Sequence, residues 1–227
     1  LSMVSEWAPI AVLFYFGVAV FLYSLPPLHL SRHWFSFLVL ISAPLAVLPA
    51  LTSLAAQFVL VGASALLFAV LLGLKNFFLI QRERWHYLLQ FALLYFLFLI
   101  FFLTDTANYF FWKSIGFFLA ASFLLREFFS VSFLNANLPL GKREKNHKPG
   151  LIAAFIVLVM IELLWAIGLL PIGFVNSANL ALIASFVLID LIRRHLDKTL
   201  SRRVILGEVS VLVIASILIF AASRWSI

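Results

Sequence analysis

The chain has 227 residues, 65% of them hydrophobic and 11% charged, with a net charge of +7 and no cysteine. Its mean hydropathy is +1.14, whereas a soluble domain is roughly 45–50% apolar and about 25% charged. Too few polar residues exist to cover a soluble surface, and disulfides, zinc–thiolate sites, iron–sulfur clusters and cysteine nucleophiles are all excluded.

The sequence predicts an all-α fold: one integral membrane domain over residues 1–227, a polytopic bundle of about eight transmembrane helices. Each span needs about 20 mostly apolar residues. The first is expected at 7–25, with Pro9 in its first turn and Pro26-Pro27 ending it. It follows Glu6 and lacks a basic leader, so it does not read as a cleavable signal peptide. The second is expected at 34–51, where Pro44 removes a backbone hydrogen bond and predicts a kink. The third, 55–80, is too long for a perpendicular span, and Lys75 and Asn76 mark its boundary. A basic turn, 81–86, leads to the fourth span at 87–103 and a polar link to the fifth at 109–125. The segment 126–150 follows, read as a surface amphipathic helix and then a basic loop, GKREKNHKPG. The sixth span is 151–170 and the seventh 172–192. A second basic loop, 193–203, precedes the eighth at 204–223.

Charge supports this map. With the N-terminus outside, the cytoplasmic segments hold Arg32, then Lys75, Arg82 and Arg84, then Arg126, Lys142, Arg143, Lys145 and Lys148, then Arg193, Arg194, Lys198, Arg202 and Arg203. Fourteen of the sixteen lysines and arginines fall on that side, leaving Lys113 and Arg224 outside. This positive-inside bias places both termini outside and requires an even number of spans. It also accounts for the net charge, which therefore does not point to nucleic acid. A multi-pass protein of a plasma membrane, a prokaryotic inner membrane, is expected.

One feature stands out. Glu162 lies about 11 residues into the sixth span, roughly 16 Å along a ~30 Å core. A charge at that depth costs about 2.5–3.5 kcal/mol on insertion scales. It reads either as packing glue or as a proton carrier, ion ligand or counter-ion. Lys113, in the outer half of the fifth span, is the expected partner, unless it snorkels to the surface beside Trp112. Asp190 and Glu208 lie at the inner ends of the last two spans. Asp190 stands three and four residues before Arg193 and Arg194, at ion-pairing distance on a helix. Glu208 is placed to meet Arg202, Arg203 or a neighbouring helix. Lys75, Arg126, Glu127, Asp190 and Glu208 share one depth and define a candidate cytoplasmic vestibule.

The basic side chains Lys142, Arg143, Lys145, Lys148, Arg193, Arg194, Lys198, Arg202 and Arg203 are candidate contacts for anionic lipid headgroups, worth about 1 kcal/mol each near the surface. His29, His33, His86, His147 and His195 all fall on the cytoplasmic side. His29 and His33 have HxxxH spacing, but one such pair and three scattered histidines do not make a metal site. No cofactor is expected, and no P-loop, HExxH or GxSxG motif is present. The expected function is that of a non-enzymatic membrane subunit or scaffold, working through the bilayer and a membrane-protein partner. The alternatives are a small ion- or proton-coupled transporter using Glu162 and, third, a lipid-modifying enzyme.

Overall fold

A backbone in hydrocarbon must satisfy its own hydrogen bonds, and a chain this apolar does so by becoming helical almost throughout. The computed structural model describes residues 17–21, 23, 34–48, 53–75, 82–103, 110–135, 149–196 and 198–223. Among them there is no strand. Residues 17–21 and 23 are helical, and from Trp34 on the described residues form seven helices: α1 (Trp34–Val47), α2 (Leu54–Lys75), α3 (Arg82–Leu103), α4 (Phe110–Asn135), α5 (Pro149–Gly168), α6 (Phe174–Leu196) and α7 (Arg202–Ala222). Five of them, all but α1 and α4, hold a stretch long and apolar enough to cross a membrane. The chain therefore has the build of a multi-pass helical membrane protein. Its exterior agrees: Leu54, Phe58 and Val59 of α2 are more than 70% exposed, and α7 buries no residue at all. A soluble monomer rarely exposes so continuous an apolar surface.

Contacts group the chain into two compact units, Leu1–Trp85 and His86–Ile227. In the first, Tyr23 stacks on Phe37 of α1 with ring centroids 4.2 Å apart. Trp34 and Phe68 of α2 extend this aromatic core. Pro44 lies inside α1, which runs only three residues further. Just before it, Ser42 turns its hydroxyl back onto the carbonyls of Leu38 and Val39, a bond that competes with the helix ladder and bends helices. At 14 residues α1 covers about 21 Å, less than the ~30 Å hydrocarbon thickness. Most of the expected first span, and residues 49–51 of the second, lie outside the described residues.

In the second unit, α4 departs from expectation. It does not end at 125 and give way to a separate surface helix but continues as one helix to Asn135. The reason is packing. Phe128 and Phe129 are about 1% exposed, and Phe128 meets the rings of His86, Tyr87 and Phe91 on α3. Those contacts hold Arg126–Ser130 in the helix. The basic turns are likewise shorter than expected. Helix α3 begins at Arg82, inside the expected loop 81–86, and α6 carries Arg193–Leu196 before the chain turns.

The turn between α6 and α7 is built from two caps. Thr199 N–H donates to the Arg194 carbonyl and Lys198 N–H to that of His195, the paired bonds of a Schellman motif. Lys198 takes the left-handed position, φ 56°, where glycine is usual. Ser201 then opens α7 as its N-cap, its hydroxyl accepting from Val204 N–H. The resulting helical hairpin is tied at its other end by Asn176 Nδ2, which donates to Ser223 Oγ at 3.1 Å.

Candidate functional site

Helix α5 has two sharply different faces. Ala153, Ile156, Val157, Met160, Leu164 and Ile167 are buried. Leu151, Phe155, Leu158 and Trp165 are 54–68% exposed, and Glu162 is exposed with them. At 100° per residue these five positions fall within an arc of about 80°, and the buried six lie diametrically opposite. Glu162 therefore projects outward from the centre of an apolar stripe. No hydrogen bond or ion pair to it occurs among the described residues. Helix α5 is 20 residues long, and Glu162 stands about 20 Å from its Pro149 end, some two-thirds of the way along.

Glu162 and Lys113 stand at similar heights along their helices but do not pair with each other. Gly150 of α5 lies beside the Arg126 side chain of α4, while Phe110 and Lys113 line one cleft with Trp165 and Gly168, so the two helices run antiparallel. Counting from that contact, Lys113 lies about 19.5 Å along α4 and Glu162 about 18 Å along α5. Their directions differ. Lys113 turns toward α3, where Nζ lies 3.4 Å from the Phe101 carbonyl oxygen and 5.7 Å from the centre of the Phe101 ring. Phe101 is in the last turn of α3, where helix carbonyls take partners from outside the ladder. A cation there caps the helix and meets the negative end of its dipole. Lys113 also lines a cleft of about 670 Å³ with Phe101, Phe110, Trp165 and Phe174, and among the described lining residues it alone is charged.

Of the residues expected to form a cytoplasmic vestibule, Asp190 and Glu208 both lie near the Arg194 guanidinium. Asp190 accepts a hydrogen bond from Nε of Arg194, one turn on. Nη2 of the same guanidinium lies 4.0 Å from Glu208 Oε1 on α7. Arg193 instead places its guanidinium over the ring of Tyr87, 4.8 Å from its centre, a cation–π contact. Glu127 is buried, next in sequence to the aromatic contact at Phe128, while Arg126 is exposed beside Gly150. Lys75 ends α2 in the other unit.

Of the candidate lipid contacts, Lys142, Arg143, Lys145 and Lys148 lie outside the described residues, as do His29, His33 and His147. Lys198, Arg202 and Arg203 are exposed at the α6–α7 turn. Arg193 and Arg194 are engaged within the protein. His195 is exposed, but His86 is buried, its ring stacked on Phe128 at 6.1 Å rather than set at a headgroup surface. Sequence reasoning missed both His86 and Gln90 as core residues. The available signal was their spacing, since they share a helical face with Leu89, Leu93 and Leu94, all buried. No cluster of metal-ligating side chains occurs among the described residues.

Among the described residues, the helical build and apolar exterior are those of a multi-pass membrane protein, and Glu162 is exposed on the outer stripe of α5. Compared with known proteins, the chain matches no family model, no curated protein and no solved structure.

Proposed function

We propose that this protein is a non-enzymatic membrane subunit or scaffold that acts through helix contact within the bilayer. The observation that carries this reading is the position of Glu162 on the exposed stripe of α5. A carboxyl group there is costly against lipid and useful against another helix, where it supplies directional hydrogen bonding in a setting that lacks a hydrophobic driving force. A transporter built on Glu162 calls instead for an acid lining an internal path. In this reading the chain lies in a plasma membrane, the inner membrane of a prokaryote, with eight spans and both termini outside, as its fourteen-to-two charge asymmetry favours. Lys198, Arg202 and Arg203 then face the cytoplasmic leaflet and its anionic headgroups.

The test is flux. Purified protein in sealed liposomes carrying a pH gradient is expected to show no proton or cation flux that depends on Glu162. A pH-dependent flux abolished by Glu162→Gln would overturn the subunit reading in favour of the transporter.

A further inference from the structure

The exposed stripe of α5 has a second regularity. Its members, Leu151, Phe155, Leu158, Glu162 and Trp165, are spaced by four, three, four and three residues. That is the alternation of the a and d positions of a heptad seam, with Phe155 and Glu162 at a and Leu151, Leu158 and Trp165 at d. Most membrane helix pairs pack with this left-handed geometry. A single polar residue at a central a position sets register and partner number in such seams. We propose that α5 pairs in parallel with α5 of a second copy of this chain, the two Glu162 carboxyl groups meeting across the seam. This deepens, and rests on, the subunit reading above.

The choice of a second copy follows from complementarity. Two copies inserted in one membrane share one topology, so their α5 helices run parallel and their Glu162 side chains lie at the same depth. A two-fold axis along the seam then brings each residue opposite its own equivalent. Most charged groups are not complementary to themselves, but a carboxylic acid is: its O–H donates and its carbonyl oxygen accepts. Two such groups across a two-fold satisfy each other, and the acid becomes the feature that fixes the pairing. The apolar residues on either side pack against their equivalents and keep the pair dry.

The chain contains no cysteine, so a single introduced cysteine forms a dimer-linking disulfide only with its equivalent in another copy. Full-length Phe155→Cys and Leu158→Cys variants, oxidised in native membranes at low expression, are compared with Met160→Cys on the buried face and Val213→Cys on the exposed surface of α7. Disulfides need Cα atoms within about 7 Å, so the two stripe variants are expected to crosslink and the two controls are not. In the Leu158→Cys background, Glu162→Leu is expected to lower the crosslinked fraction about tenfold. Glu162→Gln, which keeps a donor and an acceptor, is expected to retain it. Equal crosslinking at all four positions, none at the stripe, a stripe crosslink to a different protein, or crosslinking indifferent to Glu162→Leu each overturns the proposal. Absence of self-crosslinking without Glu162-dependent flux removes only the pairing. Flux removes the subunit reading itself.

Discussion

Asp190 lies one turn before Arg194 on α6 and takes its hydrogen bond, and Glu208 of α7 lies 4.0 Å from the same guanidinium. Glu162, on the preceding helix, faces outward between Leu158 and Trp165, with no partner among the described residues. Both are acidic side chains on apolar helices, and both are costly to place there. One cost is met locally, by an arginine at i+4 and a neighbouring helix. The other is left open. In a membrane, where lipid and core are equally apolar, packing alone says little about which surface of a helix awaits a partner. An unanswered polar group says a good deal more.

The largest expected effect tests whether the two faces of α5 differ as the structure has them. Ile156 is fully buried, and Ile156→Ala leaves a cavity. In water such truncations cost about 2–5 kcal/mol. Lipid tails are as apolar as the core, so the transfer part shrinks and a loss of ~2 kcal/mol remains from packing. Leu158→Ala, on the stripe, is expected to cost about 0.5 kcal/mol or less in a monomeric preparation, since no cavity forms there. Unfolding curves in dilute detergent compare the two directly. Similar losses at both sites would show that the stripe is covered within the single chain.

A smaller effect is expected where charge is answered locally. Replacing Arg194 with Met removes the cation between Asp190 and Glu208 and leaves two carboxylates facing each other. The melting temperature is expected to fall, and Asp190→Asn in the same chain to recover part of the loss. Because the guanidinium is well exposed, the fall is expected to be modest and to shrink further in high salt. A melting temperature unmoved by Arg194→Met would place the stability of the α6–α7 hairpin in its caps and in the Asn176–Ser223 bond instead.

The contrast between Asp190 and Glu162 also separates what is legible in the sequence from what is not. Helices and their approximate limits are legible because hydropathy acts through the backbone: a chain this apolar must be helical in lipid, and runs of about 20 residues mark the spans. The i,i+4 pairing of Asp190 and Arg194 is legible because it is local. Facing is not legible. A soluble helix announces its core by a polar opposite side, whereas α5 is apolar on every side except at Glu162, and one acid gives little contrast. Nothing in its sequence distinguishes Ile156, buried, from Leu158, exposed. For the same reason depth alone makes Lys113 the expected partner of Glu162. The two stand at similar heights along their helices, but Lys113 turns to the Phe101 carbonyl in the last turn of α3. The continuation of α4 past Leu125 is hidden in another way. Arg126 and Glu127 resemble a boundary, and only the burial of Phe128 and Phe129 against α3 keeps the helix going.

The smallest effect concerns the turn that lets the α6–α7 hairpin close. Its Schellman motif requires a left-handed residue at position 198, and lysine occupies it at φ 56°. A side chain in that region costs about 1–2 kcal/mol relative to a right-handed residue, a cost glycine does not carry. Glycine gives back part of the gain through the greater freedom of its unfolded chain. The exposed Lys198 side chain makes no bond on which the cap depends, since the motif uses backbone N–H groups alone. Lys198→Gly is therefore expected to stabilise the hairpin by about 0.5–1 kcal/mol, seen as slower amide exchange at position 198 and at Thr199 N–H. Lys198→Val, whose branched side chain tolerates this conformation least, is expected to shift exchange the other way. If both variants exchange as the parent does, the turn is held by Ser201 and the Arg194–Glu208 contact, and the left-handed residue is merely accommodated.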